Sequence, residues 1–384
     1  MARSRSRLRR RTALLFGAIA AVFILLPWML RGGCTYKVSG ENLERIRLPP
    51  GFAISIYARV PGARTMAVLP SSRAVIVGTR SDKVYAAIDR DGDFTADEVV
   101  TLYAHFNEPN GVAYRDGYLY VAERHRILRV KLSDADLAAP PPPRPIYTGL
   151  PGKAHHGTRY LAFGPDGRLY VALGSPCNIC RPDSPADAIV SLRPDGSDFR
   201  LFAEGVRNSV GMDFHPATGE LFFTDNGADR MGDDSPPDEF NHAPRAGLHF
   251  GFPWYGGGRD RTAEFRGQEP PRPSTFPVVE FQAHVAALGM HFYRGDSFPA
   301  QYRHDAFVAQ HGSWDRTTPV GYRVMRIRFD DAGNPAGKEV FAEGWLQGRS
   351  VSGRPMDIEE LADGSLLVSD DGAGLIYRIR YVGE

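Results

Sequence analysis

The sequence lacks features that would assign it to several common classes of protein. Helical periodicity of apolar residues is almost absent, which argues against a helical architecture. Only three of the 384 residues are cysteine. Arg181 follows Cys180 where covalent haem attachment needs a histidine, and no second CxxC pair completes a zinc site. Residues 1–33 hold seven arginines and no acid, so the net charge of +1 leaves −6 for the remainder, without the clustered basic face that nucleic acid needs.

One long apolar run is present, close to the N-terminus. Six arginines precede an uncharged run of 18 residues from Ala13 to Leu30. The run exceeds the roughly 7 to 15 residues of a signal-peptide core and approaches the about 20 that span a bilayer. We expect residues 1–33 to be an uncleaved membrane anchor or a signal peptide, with the remainder on the extracytoplasmic (periplasmic) face. Cleavage with lipidation at Cys34 and a twin-arginine export signal are the alternatives.

Cys177 and Cys180 belong to the sequence PCNIC. In an oxidising compartment this spacing favours a small structural disulfide. A redox-active pair and two free thiols are the alternatives.

The rest of the chain predicts repeated β-structure. A turn followed by an alternating, half-buried strand recurs six times, at Arg73–Gly78, Gly117–Ala122, Gly167–Leu173, Gly219–Asp225, Asp305–Gln310 and Gly364–Asp370. The spacing is close to the about 40 to 50 residues of a propeller blade, with a wider gap after the fourth signal that must hold inserted loops. We predict an all-β, six-bladed β-propeller over residues 48–384, with residues 34–47 as linker. Pairing of Gly374–Tyr381 with the segment near Phe52–Tyr57 would close the ring.

Three loop regions stand out from the repeat. Ala139–Pro145 contains five prolines and is predicted to be a stiff surface connection without a ladder strand. Asn226–Gly258 is acidic and rich in glycine, and such loops on a rigid scaffold often carry function. Asp89–Glu98 has the alternating aspartates of a calcium loop but lacks the glycine and glutamate of an EF-hand, so a solvated turn is an equal alternative.

Several segments carry a resemblance to a known family. They are HHGTRYLAFGPDGRLYVALG, EGVRNSVGMDFHPATGELFFTDNG, PPDEFN, FGFPWYGG and GRPMDIEELADGSLLVSDDG. In this order, over Leu48 to Tyr381, the sequence resembles the glucose and sorbosone dehydrogenases, and PCNIC resembles the sorbosone-type branch. The resemblance implies a six-bladed quinoprotein that uses pyrroloquinoline quinone (PQQ) and calcium.

The resemblance implies catalytic roles for His155 and Arg207. His155 stands four residues before Arg159, where the family places its general base, and imidazole titrates near neutral pH as that role requires. His156 is the main substitute, and a buried structural histidine is the alternative. The Arg207 guanidinium would stabilise charge on a quinone oxygen or hold a carboxylate. A salt bridge to the next blade is the alternative for this arginine.

Four residues match positions where the family contacts its cofactor. Asn208 follows Arg207 in the arginine-asparagine pair, and Asn226 is the polar side chain at a strand end. Arg354 would grip the cofactor carboxylates, and Arg316 lies near the segment where the family supplies a lysine.

The sequence departs from the family at two of its cofactor positions. Val210 replaces a frequent glutamine, and Met356 replaces the second of two arginines. Losing one charge-assisted contact costs on the order of 1.5 to 3 kcal/mol of binding. His311 and Trp314 would line the mouth of the site or pack between blades.

The resemblance places a calcium ion on the loop that follows Asp225. Gly227 and Ala228 would supply backbone carbonyls, and Asp238 would supply a carboxylate, followed by Glu239. Calcium takes six to eight oxygen ligands of these kinds. The aspartates in between, Asp229, Asp233 and Asp234, are interpreted as solvated loop acids.

These observations together predict PQQ-dependent oxidation of a sugar, a sugar-derived aldehyde or a polyol. Electrons would pass to a separate cytochrome or quinone, since the chain has no haem motif. A metal-dependent lactonase or hydrolase and a non-catalytic propeller that binds glycans or envelope proteins are the alternatives, because a fold does not fix a function.

Overall fold

The computed structural model describes residues 43–71, 73–182 and 185–383. These residues form six blades of a propeller, each with four antiparallel strands, and one of the six sheets gains a fifth, parallel strand. The helical elements of the described ranges are three short 3-10 helices, at Leu43–Arg45, Asp134–Asp136 and Ala300–Tyr302.

The first strand of the described residues is β1 (Phe52–Arg59), and three blades follow it, each built from its innermost strand outward. Blade 1 consists of β2 (Met66–Val68), β3 (Ala74–Val77), β4 (Val84–Ile88) and β5 (Glu98–Tyr103). Blade 2 consists of β6 (Gly111–Arg115), β7 (Tyr118–Ala122), β8 (Ile127–Lys131) and β9 (Arg144–Tyr147). Blade 3 consists of β10 (Leu161–Phe163), β11 (Leu169–Leu173), β12 (Ala188–Leu192) and β13 (Arg200–Glu204).

Blade 4 contains the predicted insertion. Its first strands are β14 (Gly211–Phe214), β15 (Leu221–Asp225) and β16 (Pro237–Ala243). Three short strands intervene, β17 (Leu248–His249), β18 (Tyr255–Gly257) and β19 (Asp260–Arg261), before β20 (Val279–Ala283) completes the blade. Strand β17 pairs in parallel with β13, so the insertion covers the outer edge of blade 3.

The last two blades close the ring. Blade 5 consists of β21 (Ala287–Phe292), β22 (Ala306–Gln310), β23 (Arg323–Phe329) and β24 (Pro335–Glu343). After a short hairpin of β25 (Leu346–Gln347) and β26 (Ser350–Val351), blade 6 consists of β27 (Pro355–Glu360), β28 (Leu366–Asp370), β29 (Leu375–Tyr381) and, on the outside, β1. Phe52 lies opposite Tyr381 and Arg59 opposite Leu375. The predicted six blades and the predicted closing pair are both confirmed.

The innermost strands surround the axis. Each contacts the next around the ring, in the order β2, β6, β10, β14, β21 and β27, and β27 contacts β2 again. The segments that lead into these six strands therefore meet at one end of the axis, although they are far apart in the sequence.

All six predicted strand signals are the second strands of their blades, but the expectation that they are half-buried is wrong. Strand β11, for example, is buried at each of its five positions. Each sheet packs between two other sheets, and six apolar clusters fill the spaces between adjacent blades. In β3, Val75 and Val77 face blade 6 while Ile76 faces blade 2. Successive side chains of such a strand therefore pack alternately against the two neighbouring blades. Their alternation does not distinguish core positions from solvent-exposed ones.

The proline-rich segment also differs from its prediction at one end. Pro145 lies in β9, opposite Leu128 of β8. Strand β9 is the outer edge of blade 2, where a missing N–H need not interrupt a ladder. The consecutive prolines before it form the expected connection.

The predicted anchor or signal in residues 1–33 lies outside the described residues. Within the described ranges, no helix is long and apolar enough to cross a membrane.

Candidate active site

A cavity of about 330 Å³ opens at one end of the propeller axis. Its walls come from the segments that precede the innermost strands and from the ends of second strands, which the antiparallel pairing brings to the same end. The predicted site residues on its wall are His155, Arg207, Asn208, Asn226, Gly227, Asp238 and Arg354. A larger cavity of about 530 Å³ toward the other end of the axis is lined by none of them.

The two adjacent histidines differ in their surroundings. His155 is exposed, whereas His156 is half-buried, and their ring centroids lie 4.1 Å apart. Among the described residues, none forms a hydrogen bond with the buried Nδ1 of His156. Burial, followed by the charges of Arg207 and His155, lowers the pKa of His156 to about 2, so its imidazole is neutral at physiological pH.

The backbone at His156 has an uncommon conformation that its neighbourhood maintains. Its φ of +46° lies in the left-handed region, which non-glycine residues adopt mostly where surrounding structure enforces it. A Cβ on Gly174, in the loop after β11, would lie 2.6 Å from the Cβ of His156. Glycine at this position therefore permits the close approach of the two segments.

Arg207 and Asn208 are held by a carboxylate on the next strand. The backbone amides of Arg207 and Asn208 donate to the two oxygens of Asp225, at 2.7 and 2.6 Å. Burial raises the pKa of Asp225 to about 7. The side chain of Asn226 donates to the carbonyl of Asn208 at 2.9 Å, which links the segment before β14 to the loop after β15.

Sequence reasoning missed the residue that orients the Arg207 side chain. Cys177 and Cys180 are disulfide-bonded, as predicted, and Asn178 lies inside their loop. The guanidinium donates to the carbonyl of Asn178 at 3.0 Å and to its Oδ1 at 2.7 Å, and also to Asp229 at 3.1 Å. The only available signal was the position of an asparagine between two paired cysteines.

The two departures from the family pattern contact each other. Val210, Leu288 and Met356 form a small buried cluster next to the cavity, with Ala286 packed against it. Met356 is completely buried. An apolar contact therefore occupies the place of two polar side chains.

Arg354 lines the cavity as predicted. Its backbone amide donates to Asp370 at 2.8 Å, and its guanidinium donates to the carbonyls of His311 and Gly312 at 3.1 and 2.9 Å. The ring of His311 lies 2.6 Å from a carboxylate oxygen of Asp371. Burial lowers the pKa of His311 to about 4 in spite of that carboxylate.

Blade 1 adds two arginines that sequence reasoning did not identify. Arg64 is 1% exposed, donates to Oδ1 of Asn110 at 2.5 Å and forms an ion pair with Asp371. Arg80 forms no hydrogen bond or ion pair within the described part of the chain. The neighbouring Arg64 charge lowers the pKa of Arg80 to about 10. Neighbouring guanidinium groups repel each other, so this wall favours an anionic ligand.

The predicted calcium residues have three different environments. Each oxygen of Asp238 accepts a backbone amide, from Gly227 at 2.7 Å and from Ala286 at 2.6 Å, and burial raises its pKa to about 6. Asp238 therefore positions the loop. Ala228 is fully buried, and its amide donates to Gly256. No donor from the described ranges reaches the carbonyl oxygens of Gly227 or Ala228, which leaves them available as oxygen ligands.

Of the two residues considered from the loop after β22, one lines the cavity and the other lies outside it. Trp314 lines the cavity and is 66% exposed. Arg316 lies outside the lining, where its guanidinium binds the carbonyl of Asp233 and the carboxylate of Asp234. These contacts also show that the two aspartates are not simply solvated, because Asp233 further accepts from Thr317.

The Asp89–Glu98 segment is a turn between β4 and β5 that is remote from the cavity. Asp89 accepts the amides of Gly92 and Phe94 at 2.5 and 3.0 Å. Carboxylate oxygens of Asp89, Asp91 and Asp97 lie within 4.8 Å of one another.

The fold and the cavity define a class of protein: six-bladed propellers with a polar, arginine-lined site on the axis. Residues 88–378 match the sequence model of the Glucose / Sorbosone dehydrogenase family, and the chain belongs to this family. Membership indicates an oxidoreductase that acts on sugars.

Comparison with individual proteins agrees with this assignment. An uncharacterized protein of Borreliella burgdorferi is 32% identical over 355 residues, which cover 89% of this chain and 92% of that protein. The holo form of the pyranose dehydrogenase PQQ domain from Coprinopsis cinerea shares the fold, with a TM-score of 0.73, 17% identity and coverage of 91% of this chain and 98% of that one. The calcium structure of the Trichoderma reesei carbohydrate-active enzyme of family AA12 has a TM-score of 0.73, 19% identity and coverage of 90% and 99%.

Proposed function

We propose that the chain oxidises a sugar, a sugar-derived aldehyde or a polyol, with PQQ and calcium bound in the axial cavity. The observation that carries this proposal is the convergence of Arg64, Arg80, Arg207 and Arg354 with a histidine pair around one cavity. Structural neighbours whose names include PQQ and calcium support the choice of cofactor.

The residues present fit a small, polyanionic quinone. Arg80 lacks a described partner and is repelled by Arg64, so a carboxylate beside it would be stabilised. Asn208 and Asn226 offer amide groups in the same cavity, beside Arg207. The free carbonyls of Gly227 and Ala228 are ligands of the kind that calcium takes. When bound, the quinone supplies hydride acceptance and calcium supplies Lewis-acid polarisation.

The part of the reaction that this chain performs is removal of the substrate hydroxyl proton. The sequence assigns this role to His155. We keep His155 in this role, because its exposed ring lines the cavity, whereas the pKa of about 2 makes His156 a very weak base and its Nδ1 is buried. Arg207, fixed by Asn178, would stabilise negative charge that develops near it.

We further propose that the chain is exported and passes its electrons to an external acceptor. The arginines and apolar run of residues 1–33, together with the Cys177–Cys180 disulfide, support an anchored protein on the extracytoplasmic face. There it would pass electrons to a separate cytochrome or a membrane quinone. Fractionation of cells that express the full chain or a variant without residues 1–33 tests this location, and recovery of the full chain in the soluble cytoplasmic fraction contradicts it.

Reconstitution of the full chain with calcium and PQQ tests the function. We expect saturable quinone binding by calorimetry and sugar-dependent dye reduction that is lost in Arg207→Ala. A folded protein that binds no quinone in the presence of calcium would contradict the proposal. Lactone hydrolysis with metal alone, or glycan retention without turnover, would instead support one of the two alternatives from the sequence.

A further inference from the structure

Three potential metal ligands meet at the rim of the cavity, where blades 4 and 5 adjoin. They are Asp229 in the loop after β15, His284 just before β21, and Asp315 in the loop after β22. One ring nitrogen of His284 and one oxygen of each carboxylate all lie within 4.8 Å of one another. The sequence offered no motif for this group, because its members are separated by 55 and 31 positions.

The hydrogen bond that His284 makes leaves its other ring nitrogen available to bind a cation. His284 is 5% exposed, and its Nε2 lies 2.7 Å from the carbonyl oxygen of Gly232. A carbonyl can only accept, so Nε2 carries a proton, and in the neutral imidazole Nδ1 then holds the lone pair. Metal-binding histidines are commonly oriented in this way by a backbone carbonyl.

Both carboxylates are also oriented by neighbouring donors. Asp229 Oδ2 accepts from Arg207 at 3.1 Å, and Asp315 Oδ2 accepts from the Arg230 amide at 2.5 Å. Each carboxylate has a second oxygen, for which the described ranges provide no donor. The orientation of two carboxylates toward one imidazole is therefore set by contacts outside the group.

The spacing suits ligands around an ion and does not suit direct hydrogen bonds. No ion pair shorter than 4.0 Å joins His284 to either carboxylate in the described ranges. A tetrahedral zinc ion with bonds of about 2.1 Å holds its ligand atoms about 3.4 Å apart, so the side chains would have to approach one another by on the order of 1 Å to complete the shell. Without a cation, two carboxylates at this distance repel each other.

We propose that Asp229, His284 and Asp315 bind a divalent transition-metal ion such as zinc. One imidazole and two carboxylates suit zinc, whereas calcium prefers a shell made of oxygen alone. Three protein ligands leave positions open for water or a substrate hydroxyl. The site goes beyond the proposed oxidation, since its ligands are side chains and it requires no quinone.

Metal binding would also order the rim of the cavity. Asp315 follows Trp314, the exposed aromatic residue of the cavity lining. An ion that joins Asp315 to Asp229 would fix the blade 5 loop against blade 4. The indole environment should then change when the metal binds.

Calorimetric titration of the chelator-treated full chain with zinc, without quinone, tests the site. We expect one binding event that a large excess of calcium does not displace, accompanied by a change in tryptophan emission. His284→Ala and Asp315→Asn should each weaken zinc binding by at least about tenfold. In Trp314→Phe the heat of binding should remain while the emission change is lost.

A matched control uses the other acidic group of the chain. Asp91→Asn removes a carboxylate from the Asp89, Asp91 and Asp97 turn and should leave zinc binding unchanged. Loss of binding in Asp91→Asn alone, or unchanged affinity in both rim variants, would overturn the proposal. Asp315→Asn keeps an oxygen for the Arg230 amide, so it remains informative if His284→Ala does not fold.

Discussion

Asn178 accepts a 2.7 Å hydrogen bond from Nη2 of Arg207 through its side chain, and a 3.0 Å hydrogen bond from Nε through its carbonyl. Two contacts from one residue fix the plane of a guanidinium group, which a single contact does not. Asn178 lies within the four-residue loop closed by Cys177 and Cys180. The disulfide therefore holds the loop that contains Asn178, and Asn178 in turn positions Arg207 in the candidate site.

Asn178→Ala should weaken quinone binding without unfolding the protein. The substitution removes the side-chain oxygen that Arg207 contacts, and charge-assisted hydrogen bonds contribute about 1.5 to 3 kcal/mol. We expect the dissociation constant of PQQ to rise by at least about tenfold in calorimetry. Asn334→Ala, at an exposed hairpin turn, is the control that should bind as the wild type does. Equal affinities for the two variants would show that Asn178 has no role in orienting the arginine.

Paired substitutions separate the two histidines. His155→Asn should lower kcat by about 10² to 10⁴, the range typical of a lost general base, while His156→Asn should have a smaller effect. The pKa of His156 is lowered to about 2, so this imidazole is too weak a base to take over the role in His155→Asn. The opposite order of the two variants would transfer the assignment of the base to His156.

The fold was predictable because a propeller repeats one pattern. Turn and strand signals such as Gly167–Leu173 mark the second strand of every blade, and their number gives the number of blades. The burial of these strands was not predictable from alternation alone. Val75 and Ile76 look like the two faces of an exposed sheet, but both are buried, because in a propeller each face meets another blade.

The site was predictable only where local motifs exist. Arg207 and Asn208 are adjacent in the sequence, so a resemblance to a known pattern could identify them. Arg64 belongs to no motif, and it meets its partner Asp371 only because ring closure joins the first blade to the last. His284 likewise belongs to no motif and meets Asp229 and Asp315 only in the folded ring. Contacts between neighbouring blades depend on the fold of the ring, and no local window of sequence contains them.

Arg80→Ala should weaken quinone binding while stability is retained. Arg80 is exposed and makes no described contact, so its removal leaves no buried group without a partner. The loss of one charge-assisted contact predicts a fall in PQQ affinity of about 10- to 100-fold. Arg303→Ala, at an exposed arginine far from the cavity, should have no effect on the affinity. If Arg80→Ala binds PQQ normally, the anion is held elsewhere.

Met356→Arg should destabilise the protein, even though it restores the usual residue of the family. Met356 is completely buried against Val210 and Leu288, so a guanidinium there would have no solvent and no partner. We expect the free energy of unfolding to fall by about 3 kcal/mol or more, measured by urea denaturation. Met356→Leu should cost less than about 1.5 kcal/mol. A stable Met356→Arg variant with tighter quinone binding would show that the cluster of Val210 and Leu288 rearranges to accommodate an arginine.

Asp238 should make the stability of the protein depend on pH in an unusual direction. Burial raises its pKa in the folded state from 3.8 to about 6. Between these values the folded chain holds a proton that the unfolded chain has released. Its contribution to the free energy of unfolding is therefore complete below pH 3.8 and is lost as the pH rises through about 6.

Urea denaturation of the wild type and Asp238→Asn, near pH 4 and near pH 7, measures this contribution. Asparagine does not titrate, so the stability of the wild type relative to the variant should be greatest near pH 4 and should decrease by pH 7. Asp331→Asn, at an exposed turn, provides the control for a carboxylate lost from the surface. An advantage of the wild type that grows toward pH 7 would mean that the two amide contacts, from Gly227 and Ala286, stabilise the charged carboxylate more than burial penalises it.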